Sequence, residues 1–106
     1  MRATGLSDGN YTLGGQEVKV TGNRAILTDG TIAGSVTNLF DCMRTAVLKM
    51  GIPLESAVKC AAVNPAKCIG IYDRCGSICA GKKADVILLK KSDLTLFQVI
   101  INGALL

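Results

Sequence analysis

The sequence contains no histidine and no tryptophan among its 106 residues, and its aromatic complement stops at two Tyr and two Phe. Without His, a structural zinc site would have to rest on Cys alone. Cys75 and Cys79 stand at a tolerable zinc spacing, but no second Cys pair follows, so the pattern argues against zinc. The scarcity of aromatics leaves Val, Ile, Leu, Ala and Met to build any core. It also counts against nucleic-acid binding, which draws on a basic stripe interleaved with aromatics or on a recognition helix. No apolar run reaches the roughly 20 residues that span a bilayer, and the opening "MRATGLSDGN" has no apolar signal-peptide region. These absences predict a cytoplasmic chain with no membrane and no nucleic-acid partner.

What is present is apolar and mildly basic: 49% hydrophobic residues and a formal charge of +4. The basic residues are scattered, with tight pairs only at Lys82-Lys83 and Lys90-Lys91, as on a solvated surface. The length is that of one small domain. An odd count of five Cys without a signal peptide predicts reduced thiols, and Cys42, Cys60 and Cys68, set among Ala, Val and Ile in helical patterns, read as small buried hydrophobes.

Periodicity divides the chain into strands, helices and strands. Residues 11–27 alternate in short segments, with Val18 and Val20 flanking Lys19, and predict a hairpin or small meander. Thr37 is the expected N-cap of a helix over 37–50, whose apolar positions recur at steps of three and four and which ends at Gly51. Pro53 opens a second helix, 53–63; Asn64 as cap and Pro65 at N1 open a third, 65–69, closed by Gly70. Ala84 to Leu89 then reads as a strand covered on both sides, and a C-terminal hairpin turns at Asn102-Gly103. Neither set of strands suffices for a convincing closed sheet, so the pattern reads as part of a larger protein.

"DGNYTLGGQEV", "DGTIAGS", "GIPLESAVKCAAVNPAKCIGI" and "GSICAGKKADVILL…VIINGALL" resemble the C-terminal end of the N-acetylglucosamine-6-phosphate deacetylases, in the amidohydrolase superfamily. The string Gly76 to Asp85 marks only the superfamily; "YTLGG" with "GTIAGS" points to the deacetylase branch. The resemblance implies an α+β fragment: residues 1–70 as the end of a metal-dependent (β/α)8 barrel, and residues 71–106 as strands of a small β-sandwich. It implies hydrolysis of N-acetylglucosamine 6-phosphate to glucosamine 6-phosphate and acetate by the whole protein, in amino-sugar catabolism. It also implies a divalent metal of the zinc or iron class there, held by a Glu and two His, with an Asp of a Thr-Asp-Ala motif moving the proton.

A chain without His cannot supply that metal site, and the resemblance places the Asp just before Met1. The chain is therefore expected to hold no catalytic or metal residue and to be inactive alone; Asp8 and Asp29 read as turn residues and Asp41 as a carboxylate in a first helical turn. One site carries over: Ile32, Ala33 and Gly34, matching a loop that touches the sugar-phosphate substrate. Small side chains ahead of a helix suit that role, since they let backbone N–H groups approach an anion. They equally suit a close-packed barrel turn. The alternative function is a non-catalytic module that assembles through exposed sheet edges and helix faces, as a homo-oligomer or onto a separate subunit. A third is a thiol protein built on Cys75 and Cys79.

Overall fold

The computed structural model describes residues 4–106; residues 1–3, where the expected barrel portion begins, lie outside them. It shows an α+β chain with two antiparallel sheets, and the chain divides into two compact units between Cys42 and Met43. That division concerns contacts within this chain, whereas the boundary expected at residue 70 concerns a whole barrel.

The first unit is a four-stranded meander, β1 (Gly9–Leu13), β2 (Gln16–Thr21), β3 (Arg24–Leu27) and β4 (Ile32–Gly34), hydrogen-bonded in that order. Gly14 and Gly15 both adopt positive φ between the paired ends Leu13 and Gln16, the type I′ geometry whose twist matches the flanking strands. Alternation then sorts the side chains. Tyr11, Val18 and Leu27 stand across from one another in register, as do Val20 and Ala25. Val18, Val20 and Ala25 are buried, with Tyr11, Leu13, Leu27, Ala33 and Val36 packed against them. Lys19 and Glu17, one residue out of phase, face solvent.

Helix α1 (Leu39–Leu48) begins one residue later than Thr37 predicts. Asn38 is the cap: its Oδ1 accepts the Asp41 N–H at 2.8 Å, while its Nδ2 donates to Asp41 Oδ2 at 2.8 Å. Thr37 instead gives its N–H to Ser35 Oγ at 3.1 Å. At the other end Gly51, at φ 71°, lets the Ile52 N–H return to the Ala46 carbonyl at 3.0 Å.

In the second unit, the second and third expected helices are one continuous helix: α2 (Leu54–Val58), a π turn (Lys59–Val63) and α3 (Asn64–Cys68). Asn64 does not cap a new helix. Its backbone is helical at φ −64° and ψ −46°, and Pro65 is tolerated because the wider turn before it relaxes the usual bonding. Gly70 does end the helix, with Ile71 N–H to Ala66 C=O at 2.9 Å and Gly70 N–H to Lys67 C=O at 3.2 Å, a Schellman closure.

The second sheet, β5 (Val86–Leu89), β6 (Leu96–Ile101) and β7 (Ala104–Leu105), is also a meander. Asn102 and Gly103 both have positive φ, as the Asn-Gly pair predicts. Their N–H groups are held by Asp85 Oδ1 at 2.8 Å and the Ala84 carbonyl at 3.0 Å. β5 is not covered on both sides among the described residues, for Ile87 and Leu88 are exposed, as are Phe97, Ile101 and Leu105. The expected burial of Cys42, Cys60 and Cys68 is also corrected. All three are exposed, because α1 buries Met43 beside Cys42, and the helix centred on the π turn buries Ala57 and Ala66 rather than Cys60 or Cys68.

Candidate functional site

The segment "DGTIAGS" is not a free loop. Asp29 folds the chain back by accepting the Thr31 N–H on its Oδ1 at 2.9 Å. Around it the Leu27 N–H reaches the Thr31 carbonyl at 2.8 Å and the Gly30 N–H reaches the Leu27 carbonyl at 3.0 Å. The backbone and hydroxyl of Thr31 both stabilise the charged carboxylate, which holds Asp29 below the usual Asp range. This turn delivers Ile32, Ala33 and Gly34 as strand β4, at one edge of the first sheet.

β4 is irregular. Ala25 pairs with Gly34 and Ile26 with Ile32, so two steps along β4 answer one step along β3, and Ala33 is the extra residue of a β-bulge. The bulge separates the three candidate residues by role. Ala33 packs on the Val18–Val20–Ala25 core, whereas Ile32 is 77% exposed. Gly34 follows without a side chain. Since β4 pairs with β3 only, its other edge faces away from the sheet and presents main chain between small residues. An exposed side chain and a packing element thus coexist in three residues.

The helix that follows offers less to an anion than its position suggests. The first turn of α1 already holds a carboxylate, Asp41, clasped by Asn38, so a bound anion would meet like charge there. The sequence does carry the signal for this cap, an Asn three residues ahead of an acid, but Thr37 beside it masks the choice. Asp8 is likewise spoken for: its Oδ1 accepts the Gly22 N–H at 2.8 Å across the β2–β3 turn.

The candidate site is thus an exposed strand edge beside a capped helix start. The chain has no His, and among the described residues no three His, Cys, Asp or Glu side chains gather to hold a metal ion. The residues present do not fit a divalent metal. No described helix is long and apolar enough to cross a membrane.

The sequence pattern of the Amidohydrolase family matches residues 18–106. Over 103 residues the chain is 39% identical to N-acetylglucosamine-6-phosphate deacetylase of Bacillus subtilis, covering 97% of this chain and 26% of that protein. It is 35% identical to N-acetylgalactosamine-6-phosphate deacetylase of Escherichia coli O157:H7, covering 99% of this chain and 28% of that one. The crystal structure of N-acetylglucosamine-6-phosphate deacetylase from Thermotoga maritima superposes on 97% of the chain with a TM-score of 0.82 and 34% identity, using 28% of its own length. The chain thus spans about a quarter of these proteins.

Proposed function

The chain belongs to the amidohydrolase family, and from that premise we propose that it is the C-terminal portion of an N-acetylglucosamine-6-phosphate deacetylase. In this reading the first unit and the continuous helix complete a (β/α)8 barrel, and β5–β7 form part of a small β-sandwich in a cytoplasmic enzyme. Ile32, Ala33 and Gly34 form a wall against the sugar phosphate. The observation that carries the proposal is the 39% identity sustained over 97% of the chain. The reaction converts N-acetylglucosamine 6-phosphate and water to glucosamine 6-phosphate and acetate. Groups outside these residues hold any divalent metal of the zinc or iron class and move the proton, and no step of that chemistry is assigned to this chain.

The test is acetate release by the full-length protein from N-acetylglucosamine 6-phosphate, with the galactosamine epimer as competitor. Ile32→Glu places a carboxylate on an exposed side chain of the wall, where it would repel the phosphate without disturbing the core. We expect KM to rise about tenfold or more with kcat largely kept, the signature of lost binding common to ground and transition states. Failure to release acetate from the glucosamine substrate would overturn the assignment. An unchanged KM in the variant would remove β4 from the site.

A second reading, a non-catalytic assembly module, is favoured by the exposed Ile87, Phe97 and Leu105 of the second sheet. It requires a defined oligomer, or association with a separate subunit, through those faces and the open sheet edges. Light scattering at micromolar concentration tests it, and a folded monomer counts against it.

A further inference from the structure

The continuous helix changes pitch in its middle, and the change has a geometric effect. Its buried residues Ala57 and Ala66 are nine positions apart. At 3.6 residues per turn, an unbroken α-helix would set them roughly 180° apart, on opposite sides. The π turn Lys59–Val63 absorbs one extra residue and reduces this to roughly 80°, so both alanines turn toward the same side.

The loop that follows the helix packs against that side. Gly76 sits at φ 90°, and a Cβ there would lie 2.7 Å from Ala66 Cβ and 3.1 Å from the carbonyl oxygen of Ala62, a residue of the π turn. Lys82 fastens the loop. Its ammonium donates to the Tyr72 carbonyl and, at 2.9 Å, to Ser77 Oγ, and it lies 3.4 Å from the centre of the Tyr72 ring. The bonded residues Tyr72 and Ser77 bracket Gly76 in sequence. The Lys83 N–H closes the loop once more on the Arg74 carbonyl at 2.8 Å.

We propose that residues 72–83 form a strap that holds the helix in its π register, with Lys82 as the fastening and Gly76 as the point of contact. An open strap leaves the π turn without its partner surface. The helix then yields at Pro65, whose ring an α register would set against the Ala61 carbonyl, and residues 64–68 lose their fixed rotation relative to Ala57. Lys82 is on this view a positioning residue whose ammonium is spent on the chain's own loop. The inference does not depend on the substrate assigned above.

Two comparisons in the full-length protein test it. In Lys82→Met, which keeps the stem and loses the ammonium, amide exchange over residues 62–68 should speed about tenfold or more, as expected for loss of hydrogen bonds from a charged donor. Exchange at Val18 and Val20 should stay unchanged, and Lys82→Arg should restore protection. Deleting Ala61, which removes the extra residue of the π turn, should lower the melting temperature much more in the native background than in Lys82→Met. Unchanged exchange over 62–68 in Lys82→Met overturns the proposal, as does a deletion penalty equal in the two backgrounds. If the deletion does not fold, the exchange comparison between the Met and Arg variants decides alone.

Discussion

Asn38 and Asp41 clasp each other across the first turn of α1, each side chain engaged with the other residue at 2.8 Å. The clasp satisfies one of the N–H groups that open every helix and puts a carboxylate at its positive end. Asn38→Ala should cost about 1 kcal/mol of stability, and Asn38→Ser should recover most of it, both read from denaturant midpoints. Thr37→Ala should cost much less, since Thr37 contributes only its backbone N–H to Ser35.

The core of the first sheet makes a contrast between neighbours. Val18 and Val20 are almost fully buried, and Lys19 between them is exposed. Val18→Ala deletes two methyl groups from a packed cluster and should destabilise by about 2 kcal/mol, combining lost transfer energy with an unfilled cavity. Lys19→Ala should remain within about 0.5 kcal/mol of the parent. Equal effects at the two positions would contradict the observed register.

How much of this could be read in advance differs by element. The alternation around Val18 and the turn pairs Gly14-Gly15 and Asn102-Gly103 are local signals, and the strands and turns follow them. The break expected at Asn64-Pro65 was also a local signal, but a misleading one. The π turn lets the chain pass through proline without stopping, and its partner, Gly76, lies ten residues beyond Ala66. Likewise the candidate site is legible as small residues before a helix, but not the bulge at Ala33, which depends on pairing with β3. The exposure of Cys60 and Cys68 follows from which face the strap covers, a tertiary fact.

Acid should loosen two turns built alike. Asp29 and Asp93 each accept hydrogen bonds from the Thr two residues on, and both carboxyls are held below the ordinary 3.8. A lowered folded-state pKa means that the unfolded chain takes up the proton first. The stabilisation is therefore fully present above the ordinary value and is lost as pH falls through the lower folded one. Asp29→Asn and Asp93→Asn should each flatten the fall of melting temperature below about pH 4 and lower the melting temperature slightly at pH 7, because an amide oxygen still accepts the Thr N–H but carries no charge. Both groups are solvent-exposed, so the effect should shrink with added salt.

Leu94 presents two demands that oppose each other. It is a non-glycine residue at φ 55°, with its N–H bonded to the Lys90 carbonyl at 2.9 Å, and yet the residue is only 7% exposed. Burial of a Leu is worth about 2 kcal/mol or more, and the left-handed backbone costs an L-residue roughly 1–2 kcal/mol, so packing narrowly wins. Leu94→Ala loses the packing and keeps the strain; Leu94→Gly loses the packing and releases it. Gly should therefore be more stable than Ala at this position by about 1 kcal/mol, the reverse of their order within a helix or strand. Urea denaturation of the two variants checks this. An Ala variant as stable as the Gly variant would mean that the loop relaxes out of the left-handed conformation once the side chain is gone.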